Sequence, residues 1–450
     1  MDDTICAISS ALGIGAISII RVSGPKAITI VNKIFKGKDL TKVPDHSVNY
    51  GHILSTKKII DEVLVIIMKK PKTYTTEDTV EINCHGGIAV TQKILEILLE
   101  NGCRLADPGE FTKRAFLNGR IDLLEAEAVQ DLLMSETENA RKLYINQIEG
   151  KVSKKVKLVR KKILKLLANI EVNLDYPEYE DAIEITGKYM QEKLKEIRQD
   201  LQNLINNTEN GRIIKSGISV ALVGKPNVGK SSILNCLLDE EKAIVTNIAG
   251  TTRDLVEGSF LLNGIKINLI DTAGIRATKN KIEQLGVKKT EQLLEKMDLI
   301  ILVLDNNNKL TTEDKKLLKK LKNKKKIIFV NKNDLRKNVN LKEIDEEVIY
   351  GNTKKENGLD ALLTKIEEMF NLEKINTQDP TYLSNTRQKS LVKEAYKCID
   401  NCLGSIKFEY TIDFLASDIK KAWDLLGEIV GETYNDELLD ELFSNFCLGK

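Results

Sequence analysis

The chain has 450 residues, 30% of them charged, with 68 Lys and Arg set against 66 Asp and Glu. That length exceeds what one hydrophobic core fills, so several domains are expected, and a net charge of +2 gives no global warrant for nucleic-acid binding. The seven cysteines, at 6, 84, 103, 236, 398, 402 and 447, have no CxxC spacing, which argues against a disulfide framework and a zinc site and fits reduced thiols in a cytosol. The N-terminal MDDTICAISS is acidic and no apolar run approaches the ~20 residues of a membrane span, so the chain reads as soluble and cytoplasmic with no membrane partner.

In chain order, residues 1–118 alternate β-rich runs (AISIIRVSG, EVLVIIMKK, TVEINCHGG) with helical patterns such as Val90 to Leu99, an α+β domain. Residues 119–216 change to charged stretches with apolar residues every three or four positions (AEAVQDLLM, VKLVRKKILKLLANIEVNL), which predict helices, interrupted by the proline-containing DYPEYED from Asp175 to Asp181. In residues 217–371 the runs ISVALVG, INLIDTAG, LIILVLD, KIIFVNK and EVIYG alternate with helical patterns, as in a parallel sheet covered by helices. Asn263-Gly264 signals a two-residue hairpin and so one antiparallel edge. Helical texture returns over 372–450. The simplest organisation is a discontinuous helical domain, 119–216 with 372–450, into which an α/β domain is inserted. Lys151 to Lys165 carries eight basic residues in fifteen, and Lys315 to Lys326 is similar. Either run could contact phosphates, but the interleaved apolar residues favour solvated helix faces.

Gly224-Lys225-Pro226-Asn227-Val228-Gly229-Lys230-Ser231 fits G-x-x-x-x-G-K-[ST] between a predicted strand and a predicted helix. Backbone N–H groups of Asn227 to Ser232 can wrap phosphates, Lys230 can reach the β and γ oxygens, and the Ser231 hydroxyl can ligate Mg2+. Asp271-Thr272-Ala273-Gly274 ends a strand where a carboxylate can hold the magnesium through water and the Gly274 N–H can meet the γ-phosphate. Asn331-Lys332-Asn333-Asp334 follows another strand, and its Asp can accept two N–H donors from guanine, which adenine does not offer. GTP is therefore the expected nucleotide. Asn352-Thr353-Lys354 stands where similar GTPases carry a Ser-Ala-Lys loop against the base, with Asn-Thr departing from that pattern. Between these motifs lies Thr246-Asn247-Ile248-Ala249-Gly250-Thr251-Thr252-Arg253-Asp254. Ile275 occupies the position of the glutamine that orients water in Ras-like proteins, so another group must do so.

The GTTRD segment resembles the first switch of the Era, EngA and MnmE-like GTPases, in which the residue matching Thr252 closes onto Mg2+. The flanks narrow the resemblance: GAISIIRVSG, TVEINCHGG, DPGEFTKRAFLNGRIDLLEAEAV and the terminal FCLGK are similar to the MnmE (TrmE) family along essentially the whole chain. The resemblance implies an N-terminal tetrahydrofolate-binding and dimerisation domain and a Ras-like P-loop GTPase domain. It further implies a homodimer and a flavoprotein partner, MnmG (GidA), in a heterotetramer that installs a carboxymethylaminomethyl or aminomethyl group at C5 of the wobble uridine of certain tRNAs. Arg21, Glu81, Arg120 and Lys450 match positions around 5-formyl- or 5,10-methylene-tetrahydrofolate; the family often has lysine at Arg120, which differs in geometry. K+ is implied against the phosphates, held by Asn227, the Thr246 and Ile248 carbonyls and Thr251, with Glu283 as the catalytic glutamate. Cys447 is either a thiolate nucleophile beside the folate or a residue packing the last helix. His85, beside two glycines, reads as structural, Cys398 and Cys402 as buried, and CLGK fails as a lipidation box because its middle residue is Gly and its last is Lys.

Two functions compete: GTP hydrolysis coupled to wobble-uridine modification, and a ribosome-assembly or signalling switch in which GTP gates partner binding. The second lacks a recognisable KH-like RNA module after the GTPase region, and the folate-site matches favour the first.

Overall fold

The computed structural model describes residues 2–175, 187–239, 258–271, 293–341, 344, 346–375, 382–406 and 412–450. The chain divides into two compact units, Met1–Met134 with Tyr144–Asn203 and Ser390–Lys450, and Ser135–Leu143 with Leu204–Lys389.

The first unit is built on β1 (Ile5–Ile8), β2 (Ile17–Ser23), β3 (Phe35–Lys36), β4 (Ser47–Ser55), β5 (Lys58–Met68), β6 (Thr79–His85) and β7 (Arg104–Leu105), ordered β3-β4-β5-β6-β2-β1-β7. The period-two pattern puts Val80, Ile82 and Cys84 of β6 on one face, where they pack with Ile20 and Val22 of β2 and Val63, Val65 and Ile67 of β5. The apolar stripes of α1 (Ala27–Ile34) and α2 (Ile88–Glu100) cover that face, through Ile30, Val31 and Ile34 and through Ile94, Ile97 and Leu98. On the opposite face Ile5 and Ala7 of β1 pack with Ala106 and with Phe111 of α3 (Glu110–Leu117), and Tyr74 lies against this cluster.

α3 also carries Arg114, fully buried. Its guanidinium donates to Asp3 Oδ1 at 2.7 Å, Glu110 Oε1 at 2.9 Å and Glu77 Oε1 at 3.2 Å. Burial alone pushes the Arg114 guanidinium down, but the three carboxylates outweigh it and hold the group above the ordinary arginine range.

Helices follow in the chain, and residues 135–143 and 204–216 among them belong to the second unit. α4 (Leu123–Leu133) begins with a capping box in which Asp122 and Glu125 satisfy each other's backbone N–H groups. α5 (Glu138–Ile148) leads to α6 (Lys151–Asp175), which runs for 25 residues, and α7 (Gly187–Ser216) for 30. In α6 the apolar residues Val152, Val156, Val159, Ile163, Leu166 and Ile170 are all buried, while Lys154, Lys161 and Lys165 face solvent. Lys157 pairs with Asp122, and Lys162 with Glu196 and Asp200. The first lysine run is thus one face of an amphipathic helix.

The next helices of the first unit follow the second unit's sheet in the chain. That sheet contains β8 (Ile218–Val223), β9 (Gly258–Leu262), β10 (Ile265–Asp271), β11 (Leu299–Asp305), β12 (Lys326–Asn331) and β13 (Val348–Tyr350), ordered β13-β12-β11-β8-β10-β9. Every pairing is parallel except β9 with β10. Asn263 and Gly264 both have positive φ, 49° and 74°, the turn that joins two strands without splaying them. β11 is buried along all seven residues, as a strand covered on both faces must be. With it go α8 (Lys230–Asp239), α9 (Thr312–Lys320) and α10 (Asp360–Phe370).

After α11 (Thr386–Ile406), α12 (Ile412–Val430) packs on α6, where the buried Arg160 donates to the Trp423 carbonyl at 3.2 Å, pairs with Glu432 and lies over the Trp423 ring. α13 (Asp436–Ser444) joins Phe116, Leu123 and Ala126 through Leu439 and Phe443, with Phe446 just beyond its end in the same cluster. Gly109, at φ 68°, opens α3 so close to this helix that a Cβ there would sit 2.7 Å from Phe446 Cβ and 2.9 Å from the Phe443 carbonyl. The architecture is multidomain: an α+β N-terminal region, a discontinuous set of helices and an inserted α/β P-loop domain.

Removing Arg114 would take from the partly buried Glu77 carboxylate its ion pair and open a hole at a fully buried side chain, while Arg104 still pairs with Asp3 and Glu110. Arg114→Ala is expected to lower unfolding free energy by about 3–5 kcal/mol, against little change for Arg141→Ala, which breaks an exposed pair with Glu138. Denaturant titration with tryptophan and circular-dichroism signals checks the contrast.

Candidate functional site

The C-terminal ends of β8, β10, β11, β12 and β13 are where an open parallel sheet receives ligands, because the connecting loops splay apart there. After β8 the chain turns through Gly224 to Gly229 into α8. A Cβ on Gly224 would meet the Val303 carbonyl at 2.5 Å, and one on Gly229, at φ 99°, would run into the Asn331 amide, so both glycines are required by close approach. Asn227 also holds a left-handed conformation, φ 64°, a cost that surrounding contacts must offset.

Those contacts come from three side chains. Lys230, buried, donates from Nζ to the carbonyls of Gly224 at 3.0 Å and Lys225 at 2.8 Å. Asn331 donates to the Val228 carbonyl at 3.0 Å, and Lys332 to the Asn227 carbonyl at 2.8 Å. The loop's carbonyls are thereby turned outward, leaving its N–H groups to converge on an anion. Ser231 and Ser232, at the first turn of α8, are exposed, as a cation-ligating hydroxyl must be, whereas Val228 is buried under the loop.

On the base side, Asn333 N–H donates to the Gly351 carbonyl at 3.2 Å, joining the loop after β12 to the loop after β13. Asn352 is buried and its Oδ1 accepts from Lys354 N–H at 2.9 Å, while Thr353 is half-buried and Lys354 exposed. Asp334 is exposed, free to meet a ligand.

Sequence reasoning missed Asp305, the last residue of β11. Its Oδ2 accepts from Lys332 Nζ at 2.7 Å and from Asn308 Nδ2 at 2.9 Å, and its Oδ1 accepts from Asn307 N–H at 2.9 Å. Burial raises this carboxyl, but Lys332 and the two asparagine donors outweigh it and hold Asp305 below the ordinary aspartate range. A carboxylate ending a buried parallel strand was the available signal. Such a group stabilises the fold fully above its unfolded pKa of about 3.9, and the contribution is lost as pH falls through the lower folded value. Asp305→Asn should therefore flatten the part of the acid-unfolding curve below about pH 4, measured beside the unaltered chain.

The expected switch residues Thr246, Asn247, Ile248, Ala249, Gly250, Thr251, Thr252, Thr272, Ala273, Gly274 and Glu283 lie outside the described residues, as does the side chain of Asp271. The Asp271 backbone pairs with Leu222, beside the end of β8.

A second cluster forms in the first unit. Arg21 of β2 stands opposite Glu81 of β6 in register, and its guanidinium donates to Glu81 Oε1 from Nε at 2.9 Å and Nη2 at 2.7 Å. Arg21 and Arg120 both lie over the Tyr74 ring, 5.6 and 4.7 Å from its centroid, and Arg21 is 5.7 Å from that of Phe111. Tyr74 is held by a 2.9 Å hydrogen bond between its hydroxyl and that of Thr112. Neither aromatic was singled out in the sequence, because nothing local to PKTYTTED or GEFTKR says the two segments meet. The chain end comes to the same place: the Ser9 hydroxyl donates to the Gly449 carbonyl at 3.0 Å and Gly109 N–H to the Cys447 carbonyl at 3.3 Å. Burial, then the Arg21 charge, push the Lys450 ammonium below the ordinary lysine range, with Cys447 acting the other way. Cys447 itself is exposed. His85 ends β6 with its ring exposed and its Nδ1 2.7 Å from Asp61 Oδ1, and that hydrogen bond raises its pKa.

Comparison with known proteins places the chain in a family. A family model of the MnmE helical domain matches residues 123–447, and one of the GTP-binding protein TrmE N-terminus matches residues 4–120. The tRNA modification GTPase MnmE of Staphylococcus aureus strain Newman is 46% identical over 456 residues, spanning 100% of this chain and 99% of that protein, and that of strain JH9 gives the same values. A solved G domain of the T. maritima FeoB iron transporter is 33% identical over 34% of this chain and 97% of that chain, with a TM-score of 0.26. The chain belongs to the MnmE family of tRNA modification GTPases, and is a GTP-hydrolysing enzyme acting in tRNA modification.

Proposed function

We propose that this chain is a potassium-dependent GTPase that works with the flavoprotein MnmG (GidA) to add a carboxymethylaminomethyl or aminomethyl group at C5 of the wobble uridine of certain tRNAs. The carbon comes from 5-formyl- or 5,10-methylene-tetrahydrofolate. The reading rests on Arg21 and Arg120 lying over Tyr74, Arg21 beside Phe111 and paired with Glu81, and Lys450 near enough to feel the Arg21 charge. Guanidinium and ammonium groups suit the carboxylates of a folate tail, Glu81 suits the donors of a pterin, and the two aromatics supply apolar wall. Residues 1–118 serve as the folate-binding and dimerisation domain, 119–216 with 372–450 as the helical domain, and 217–371 as the GTPase domain. The active form is a cytoplasmic homodimer that joins MnmG in a heterotetramer.

In the GTPase domain, Asn227 to Ser232 hold the phosphates and Asn331 to Asp334 with Asn352 to Lys354 the guanine. Ser231, Thr252 and Asp271 would hold Mg2+, which neutralises charge on the β and γ oxygens when bound. The Asn227 side chain is exposed and has no hydrogen-bond partner among the described residues, which leaves its amide oxygen available to a weakly hydrated cation. Together with the Thr246 and Ile248 carbonyls and Thr251 it would supply the oxygen donors that suit K+, whose charge would do the work of an arginine finger in other GTPases. Glu283 orients the attacking water in place of the absent glutamine.

GTP hydrolysis is expected to be much faster in potassium than in sodium at fixed magnesium and ionic strength, approaching the 10³ to 10⁵ that arginine fingers contribute, to order of magnitude. Asn227→Ala should erase the preference and Glu283→Ala should lower turnover while GTP still binds; equal rates in the two salts would remove potassium from the mechanism.

Arg21→Ala and Glu81→Ala should each weaken 5-formyl-tetrahydrofolate binding by about 2–5 kcal/mol in calorimetry while GTP turnover persists. In a reconstituted assay with MnmG, Cys447→Ser should abolish wobble-uridine modification; full activity would return Cys447 to a packing role.

A further inference from the structure

The phosphate-binding loop has a fourth anchor whose far end belongs to none of the nucleotide motifs. Lys225, the residue after the first glycine, sends its side chain away from the loop, where Nζ lies 2.6 Å from Asp314 Oδ2 and donates to Thr311 Oγ1 at 2.9 Å. Thr311 and Asp314 form the capping box of α9: Thr311 N–H donates to Asp314 Oδ2 at 2.9 Å, and Asp314 N–H to Thr311 Oγ1. The Asp314 side chain is 3% exposed, and its Oδ1 is buried without a hydrogen-bond partner among the described residues. A buried carboxylate needs a countercharge, and Lys225 is the cation the fold supplies. The pair borders a cleft of about 290 Å³ shared by the loop, Asp305 and Lys332.

The other three anchors act on the loop's own carbonyls, from within or from the base-binding strand. Lys225 instead ties the first half of the loop to the N-terminus of α9, an element that carries no nucleotide motif. This link acts between Gly224, pinned against β11, and Asn227, whose left-handed backbone must be held in place. We propose that Lys225 and Asp314 form a positioning pair that holds the phosphate loop in its GTP-binding shape, so that nucleotide affinity depends on a contact outside the nucleotide motifs.

The test uses the full-length chain, with GTP affinity by calorimetry, steady-state hydrolysis at fixed magnesium and potassium, and thermal midpoints. Lys225→Gln and Asp314→Asn should each raise the Kd and KM for GTP about tenfold with kcat nearly unchanged, since a displaced loop costs binding before chemistry. Lys225→Arg, which keeps the charge, should restore affinity. The decisive variant is the double Lys225→Gln, Asp314→Asn, which removes both charges and so regains thermal stability. A positioning pair predicts that its GTP affinity stays as low as that of either single variant, because the two losses are not additive. Wild-type affinity in the double variant, or losses that multiply, would overturn the proposal. If Asp314→Asn fails to fold, Lys225→Gln decides alone, and a Kd within about twofold of wild type, where a displaced loop would cost far more, overturns it.

Discussion

A guanidinium buried without partners costs more than most single contacts can return, and the first unit is organised around meeting that demand at Arg114. Its three carboxylates come from distant points in the chain: Asp3 just before β1, Glu77 in the segment between β5 and β6, and Glu110 one turn back on the same helix. Each ion pair therefore fixes a piece of backbone as well as a charge. Glu77 also accepts from the Ser23 hydroxyl at 2.8 Å, which ties the segment carrying Tyr74 to the end of β2. Tyr74 then lies under Arg21 and Arg120, so the placement of that segment bears on the geometry of the cation cluster.

The second unit meets a different constraint, that of backbone N–H groups which must be left open for an anion. The phosphate loop satisfies its carbonyls with Lys230, Asn331, Lys332 and the packing of Gly224 on β11, and no regular secondary structure could leave its N–H groups unused. Lys332 illustrates the economy of the arrangement, since its ammonium joins the loop before α8, the end of β11 and the segment after β12 in one place. The Asp305 carboxylate keeps that ammonium aimed, in the way supporting groups orient a binding site elsewhere.

Charge runs show how little composition says about place. Lys151 to Lys165 looks like a polyanion stripe in one dimension, yet α6 folds half its contacts inward and spends Lys157 and Lys162 on ion pairs within the first unit. Arg160 of the same run is buried against Trp423 and Glu432. Cysteine positions behave similarly: Cys398 and Cys402 are buried in α11 as their helical spacing implies, while Cys447 stays exposed at the chain end.

The amino-acid sequence by itself determined the strand and helix textures of each region and the antiparallel hairpin at Asn263-Gly264 in the second unit's sheet, and it marked Gly224 to Ser231 as a candidate phosphate loop. Period, turn chemistry and a phosphate loop are local properties, written in residues close along the chain. Family resemblance named Arg21, Glu81, Arg120 and Lys450 but could not say what holds them. Only the tertiary structure decided that Tyr74 and Phe111 line that cluster, that Asp305 secures Lys332, and that Lys225 leans on Asp314. Those are contacts between segments tens to hundreds of residues apart, and their partners become legible once strand order and helix packing have brought the segments together.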